Sequence, residues 1–369
     1  MPEATAQKKF SCPACGAAAE WNPAKQSLVC PFCGTTSPAQ MELDAAGEQV
    51  IKEHDLVAAI RGIPDDKRGW QAKKTSVKCQ SCQAISVFDP QRVGQRCDFC
   101  GSPSIVPYTK TRHAIYPESL LPFAIDAKRA RSEFERWLTR LWFAPGDLSK
   151  RAKASGMDGV YLPYWTYDSA THSQYSGERG DAYWETESYT DSEGRRQTRQ
   201  VRKIRWYHVR GQVDVDFDDV LVAGTKSLPR DMLEKLEPWD LGGLAPFDPA
   251  YLSGFLAERY GIDLEGGFAI AQERMDARIR DEVCRDIGGD EQRIHGLRTT
   301  HHDTTFKHLL LPLWISSFRY KEKTYRFTVN ARSGQVSGER PWSVAKIVLT
   351  VLAVIAVIAA IVVLAQGSK

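Results

Sequence analysis

Cys12-Pro13-Ala14-Cys15-Gly16 and Cys30-Pro31-Phe32-Cys33-Gly34 are repeated, after a constant shift, by Cys79-Gln80-Ser81-Cys82 and Cys97-Asp98-Phe99-Cys100-Gly101. The repeat reaches past the thiols: Trp21-Asn22-Pro23 aligns with Phe88-Asp89-Pro90, and Phe32-Cys33-Gly34 with Phe99-Cys100-Gly101. A Cys-x-x-Cys turn aims two thiolates at one tetrahedral ion. The segment of about fourteen residues between paired turns suits a hairpin that returns the second pair. The spacing therefore predicts two zinc ribbons, each closing on one Zn2+. Cys12, Cys15, Cys30 and Cys33 hold the first ion, and Cys79, Cys82, Cys97 and Cys100 the second. Four thiolates leave no coordination position for water or substrate, so both zincs are expected to be structural rather than catalytic.

Disulfides would need an oxidising compartment, and Met1-Pro2-Glu3-Ala4-Thr5-Ala6-Gln7-Lys8-Lys9 carries no apolar signal-peptide core. A redox Cys-x-x-Cys opens a helix in a βαβ setting, whereas Gly16, Gly34 and Gly101 follow these pairs in turn-rich sequence. Spacing alone leaves an iron centre open; closed all-thiolate sites favour zinc. Independent ribbons are expected, such that a chelator unfolds them and spares the remaining domain.

Ile347 to Leu364, followed by Ala365, is an uninterrupted apolar run without charge. Its nineteen residues cover roughly 28 Å as a helix, close to the hydrocarbon thickness of a bilayer. Trp342 and Lys346 stand where an interfacial anchor belongs; Arg332, Arg340 and Lys346 precede the run and only Lys369 follows it. The positive-inside bias predicts a single-pass, tail-anchored protein of the cytoplasmic (inner) membrane with its N-terminal body in the cytoplasm.

The 369 residues allow about two soluble domains, and a net charge of +3 is too small to dictate a polyanionic partner. The pattern predicts an α+β protein with a mainly antiparallel sheet. Its layout is ribbon 1 over 8–38, a helical connector over 39–75, ribbon 2 over 76–107, the α+β domain over 108–341 and the transmembrane helix over 347–365. Leu43, Val50, Ile51, Leu56, Val57 and Ile60 suggest the connector helix, ending before Gly62. Phe134, Trp137, Leu138, Leu141 and Trp142 mark a second helix, capped by Asp126 and stopped by Pro145. A third runs from about Gly266 to Ile287 and carries the ninth cysteine, Cys284, as a packed thiol. Val160 to Tyr167 and Lys307 to Ile315 read as strands sharing a Leu-Pro-x-Trp core, a hint of internal duplication. Asp191-Ser192-Glu193-Gly194 and Ala331-Arg332-Ser333-Gly334 read as hairpin turns.

Arg195, Arg196, Arg199, Arg202, Lys203, Arg205 and Arg210 form the densest basic run, which could track a phosphate backbone. Glu185, Glu187, Asp191 and Glu193 on the preceding strand favour cross-strand pairing instead. Lys73, Lys74, Lys78, Arg92 and Arg96 around ribbon 2 suit either nucleic acid or the negative charge of a zinc tetrathiolate. Asp214, Asp216 and Asp218 share one strand face but lack the glycine and glutamate of a calcium loop. His295, His301, His302 and His308 lack metalloprotease spacing. The chain has no phosphate loop, nucleophile elbow or dinucleotide fingerprint; Gly224-Thr225-Lys226-Ser227 is the nearest imitation and reads as a turn. No enzyme is expected.

Taken together, the two Cys-Pro-x-Cys-Gly pairs, Tyr161-Leu162-Pro163-Tyr164-Trp165-Thr166-Tyr167-Asp168, Phe217-Asp218-Asp219-Val220-Leu221-Val222 and Leu311 to Pro341 resemble bacterial membrane-anchored proteins with tandem TFIIB-type zinc ribbons. Members are often labelled primosomal protein N′ (replication factor Y), superfamily II helicase-like. The resemblance covers nearly the whole chain and implies a membrane recruitment scaffold, with SPFH-domain or phage-shock-protein-A-type protein partners in membrane stress. The helicase label would require a nucleotide-binding motif, which this sequence lacks. The expectation is a non-enzymatic zinc-ribbon adaptor binding proteins at the membrane; the alternative is a membrane-tethered nucleic-acid-binding protein without a motor.

Overall fold

The fold, a computed structural model, describes residues 10–37, 51, 53–62, 75–88, 97, 99, 102, 105–107, 115–148, 156–190, 192, 194–320 and 323–367. Three short strands, β1 (Glu20–Asn22), β2 (Ser27–Val29) and β3 (Thr36–Ser37), form the hairpin sheet of the first cysteine unit. Then come β4 (His54–Asp55), α1 (Leu56–Gly62) and the second unit's β5 (Thr75–Cys79), β6 (Ile85–Phe88) and β7 (Ile105–Pro107). The body comprises β8 (Ser119–Leu120), α2 (Ala127–Thr139), β9 (Asp158–Thr190), β10 (Arg196–Ala223), α3 (Arg230–Glu234), β11 (Ala245–Pro246), β12 (Leu256–Arg259), α4 (Leu264–Ile287), β13 (Glu291–Tyr320), β14 (Lys323–Asn330) and β15 (Val336–Gly338). Helix α5 (Val344–Gly367) ends the described chain.

Three long antiparallel strands in the order β10, β9, β13 make the frame. β9 pairs β10 from Tyr164↔Ala223 to Thr190↔Arg196, and β13 from Asp158↔Ile315 to Gly180↔Glu291. At about 3.3 Å per residue the 33 residues of β9 trace a contour of about 110 Å. Alternation explains the burial along β10: Val213, Val215 and Phe217 are buried under α4, while Asp214, Asp216 and Asp218 face solvent. Helix α4 buries Leu264, Gly267, Ala271, Met275, Ile279, Val283 and Ile287, a stripe spaced by three and four. Gly267 is required there, because a Cβ would lie 2.3 Å from the Tyr167 hydroxyl. That hydroxyl donates to the Leu264 carbonyl at 2.8 Å. Cys284 lies one position off this stripe and is half-buried.

The Leu-Pro-x-Trp echo is one trace of a duplicated β-α-β-β unit: β8-α2-β9-β10, then β12-α4-β13-β14. The units are interleaved, since β8 runs parallel to β13 of the second and β12 parallel to β9 of the first. Leu162 faces Leu311, so equivalent residues meet on a local two-fold. The backbone repeats in detail. Gly224 N–H donates to Pro163 O as Ala331 N–H donates to Pro312 O. Gly261 and Ile262 donate to Gly224 O as Ala124 and Ile125 donate to Ala331 O. The indole of Trp165 donates to Ile262 O (3.0 Å) and that of Trp314 to Ile125 O (2.8 Å). Each isoleucine precedes an aspartate, Asp263 or Asp126, that caps a helix. Both prolines sit where the long strand exchanges a parallel neighbour for an antiparallel one, a point where a missing N–H costs the ladder little.

Three expectations need correction. Helix α2 stops at Thr139, because the Arg140 N–H turns back to the Trp137 and Leu138 carbonyls; Leu141 and Trp142 fall beyond it, and Pro145 terminates nothing. Of the connector, only residues 51, 53–62 and 75 are described; α1 includes Gly62, and Val57 and Ile60 are exposed while Leu56 is buried. The cysteine units are not beads on a string. β6 pairs β12, which joins the second unit to the main sheet, and Cys79, Ala84, Cys97 and Phe99 lie in one core with Val160, Leu162, Leu256 and Leu309. The first unit packs Trp21 on Tyr251 (4.5 Å between rings), with Trp21 N–H donating to Ser253 O and Ser253 Oγ to Ala19 O. Both hairpin turns expected from sequence are present, between β9 and β10 and between β14 and β15.

Candidate metal centres

Each Cys-x-x-Cys begins a turn closed by the same first bond, and the three turns described throughout share a second. The amide N–H groups of Cys12, Cys30, Cys79 and Cys97 donate to the carbonyl five residues on, of Ala17, Thr35, Ala84 and Ser102. Gly16, Gly34 and Gln83 donate back to the first cysteine's carbonyl, all with φ between 66 and 73°. This left-handed geometry explains the glycines, and Gln83 tolerates it as the exception.

The turns converge in pairs. The thiols of Cys12, Cys15, Cys30 and Cys33 lie within 4.8 Å of one another, as do those of Cys79, Cys82 and Cys97; Cys100 lies outside the described residues. Sulfur–sulfur distances are 3.4 Å (Cys12–Cys33), 3.5 Å (Cys15–Cys30) and 3.6 Å (Cys82–Cys97). A disulfide would be about 2.0 Å, and no disulfide joins the described cysteines. A zinc–sulfur bond of about 2.3 Å gives tetrahedral edges of about 3.8 Å, so the clusters are compatible with zinc. The Thr35 hydroxyl lies 3.1 Å from Cys33 Sγ and, with the Thr35 N–H, holds that thiol down to about 6. Against a bond from the Ala17 backbone, the neighbouring thiols Cys33 and Cys30 push Cys15 the other way, up to about 12. Cys12 and Cys30 are buried while Cys15 and Cys33 are exposed, so an ion would sit at the rim of the first unit, close to Phe32, which is 81 % exposed.

Sequence reasoning missed a second polar centre, around Lys307 on β13. Asp219 Oδ1 lies 2.8 Å and Glu53 Oε1 3.1 Å from its ammonium, and Asp168 Oδ2 lies 3.9 Å away. Bulges on both neighbours of β9, between Phe217 and Val220 and between His302 and Thr305, aim these groups inward. Asp168 then accepts from the Asp219 amide and the Thr305 hydroxyl. Burial alone would lower the Lys307 ammonium, but the bonds to Asp219 and Glu53 outweigh it and hold it above its usual range; the Lys307 bond in turn lowers Glu53. Asp168, Asp218 and Asp219 cluster closely enough for a cation, and Lys307 supplies one. The signal was the Asp218-Asp219 pair: Asp219 has φ 52°, a conformation aspartate adopts more readily than most residues.

The histidines do not converge. His308 is buried against Trp165 (4.6 Å) and its Nδ1 lies 3.0 Å from Ile115 O. His301 touches Ser169 and Phe268, His302 lies beside Thr300, and His295 lies 3.4 Å from Glu178. In Gly224-Thr225-Lys226-Ser227 the Thr225 and Ser227 hydroxyls each donate at 2.8 Å to buried Glu258, which makes this turn a brace between β10 and β12. Along the basic hairpin Lys203 bonds Glu185 and Glu187, Arg199 bonds Glu187, and Arg202 bonds Glu291. Cross-strand pairing accounts for those cations.

Helix α5 presents 18 residues, Val344–Ile361, of mean hydropathy 2.8 with none buried, long and apolar enough to cross a membrane. No family model and no solved structure matches the chain. It is similar to YdjG of Bacillus subtilis (strain 168), itself uncharacterized, at 24 % identity over 238 residues. That similarity spans 63 % of this chain and 65 % of YdjG, short of two thirds of either.

Proposed function

We propose that this chain is a non-enzymatic, tail-anchored adaptor. Two structural zinc ribbons brace a β-sheet body that holds protein partners at the cytoplasmic face of a membrane, of the SPFH or phage-shock-protein-A type that the sequence resemblance implies. The observation that carries this reading is the β9–β10 hairpin. β13 stops pairing at Gly180, and α4 ends at Ile287, so Asp181–Thr190 and Arg196–Arg205 continue as two unaccompanied strands. Ten residues per strand project about 33 Å. They expose Tyr183, Trp184 (65 %) and Tyr189, with Tyr207 at the root. Exposed aromatics on a rigid ribbon are the residue types that dominate protein–protein recognition. The internal ion pairs of this hairpin weigh against its use as a phosphate-binding track.

The test is capture from detergent-solubilised membranes, with nuclease-treated controls, by the wild type and by Trp184→Ser/Tyr189→Ser. The adaptor reading expects specific proteins that survive nuclease and moderate salt and are lost with the double variant. Capture that disappears with nuclease, or that weakens steeply with salt, would instead favour the tethered nucleic-acid binder.

A further inference from the structure

The turn after α2 packs Ala144 and Leu148 into the core and is also fastened to the start of α5. The Ser343 N–H donates to Phe143 O at 2.7 Å, and Lys346 Nζ donates to Ala144 O at 2.8 Å and Trp142 O at 3.1 Å. The ammonium thus satisfies carbonyls that a tight turn leaves open. On its inner side the turn is anchored by buried Ala144 and Leu148, and Asp147 accepts from the Tyr320 hydroxyl. On its outer side Trp142 is 75 % exposed, and Trp342 is 55 % exposed with its ring 6.3 Å from Phe143 and the Arg340 guanidinium 4.1 Å above it. Two exposed indoles, two cations and a carbonyl-satisfied turn therefore stand level with the first turn of α5, just before its uncharged run from Ile347.

We infer that Trp142 and Trp342 form a second membrane contact, seating the base of the sheet in the headgroup–acyl boundary beside α5. The inference rests on the reading of α5 as a membrane span. The occupant is a lipid surface because the patch continues the exposed apolar face of α5 at Val344, Val348 and Leu349. Its composition is also that of an interfacial belt, in which indoles lie at the headgroup level and Lys and Arg reach outward. A single helix would leave the body free to swivel. Two attachment points fix its orientation, and with it the direction of the β9–β10 hairpin.

The test uses the full chain in phosphatidylcholine vesicles whose acyl chains are brominated either near the headgroup or near the methyl end. The emission of Trp142 is taken as the difference between wild type and Trp142→Phe, and that of Trp342 likewise from Trp342→Phe. Carbonate extraction is measured on the same vesicles. Expected are carbonate resistance and strong quenching of both difference spectra by the shallow bromines, with little by the deep ones. Carbonate resistance with unquenched, water-like difference spectra would place the turn in solvent and overturn the inference while leaving the span intact. Extraction by carbonate would overturn both.

Discussion

Phe32 and Phe99 occupy the same place in the two Phe-Cys-Gly copies, yet Phe32 is 81 % exposed and Phe99 is 2 % exposed. Replacing each by alanine keeps the eight thiols of the two quartets and separates the metal site from the shared core. Phe99 packs in the cluster that includes Val160, Leu162, Leu256 and Leu309, so Phe99→Ala removes a fully buried ring and leaves a cavity; the cost is about 3–5 kcal/mol. For a body of this size that lowers the melting temperature by roughly 6–20 °C. Phe32→Ala removes a ring from water and should fall within about 0.5 kcal/mol of wild type. The assay is thermal unfolding of the detergent-solubilised full chain followed by near-ultraviolet dichroism, with elemental analysis showing that both variants retain their metal. Equal small shifts would mean that the second ribbon does not share the body's core, and the account of β6–β12 fusion would fail.

Wild-type protein should carry two zincs, and Cys79→Ser should lose one while keeping the other; a single zinc in the wild type, or loss of both in the variant, refutes two separate sites. Because both cysteine units share core with the body, complete chelation should lower the melting temperature of the body as well, and an unchanged melt after metal loss would contradict that. Burial holds His308 neutral, with its pKa pushed down to about 4 from 6.5. The unfolded chain therefore binds an extra proton as pH falls from 6.5 towards 4, and the fold loses about 3 kcal/mol over that window that it holds above it. His308→Asn should flatten denaturant midpoints across that range by this amount, and an unaltered slope excludes His308 as the source. Lys307→Met leaves Asp168, Asp219 and Glu53 facing an apolar side chain and, discounted for the partial exposure of the carboxylates, should cost about 1–3 kcal/mol at neutral pH. A stability equal to wild type would show that the carboxylates do not depend on this ammonium.

Cysteine spacing and helical period were legible because both are local. The convergence of the described Cys-x-x-Cys turns, the Asp126 cap and the extent of α4 all follow from local spacing. The length of β9 was not legible. Beyond Gly180 its residues alternate between faces that are both wet, so polarity carries no period from Tyr183 to Thr190. Nor could spacing show that Phe99 is interior and Phe32 is not, because that depends on β12, which lies more than 150 residues away in the chain. The Lys307 centre was hidden for the same reason: its carboxylates come from β9, β10 and the segment before β4. The duplication surfaced only as Leu-Pro-x-Trp, since its firmest evidence is backbone bonding that any side chain permits.

The two repeats differ most in their hairpins, and that difference isolates the hairpin's purpose. In the second unit β13 and β14 turn at Tyr320 and Lys323, within reach of the core residues Phe318 and Phe327. In the first, β9 and β10 run on past Tyr175, where the core under α4 ends, to Thr190 and Arg196. A two-stranded ribbon is marginal by itself in water. This one is held by the Lys203 and Arg199 ion pairs and by Arg205 and Arg199, 5.1 and 5.5 Å over Tyr183 and Tyr189. The extension therefore adds little to the fold, which makes it the part to remove when testing the proposed docking role. Asp181 and Arg205 face one another in register, so an Asn-Gly turn can replace everything between them. The shortened protein should melt within a few degrees of wild type, keep two zincs and stay in the membrane, yet capture none of the proteins that the full hairpin retains. Undiminished capture would move the docking surface elsewhere, with Phe32 at the rim of the first ribbon the next residue to test.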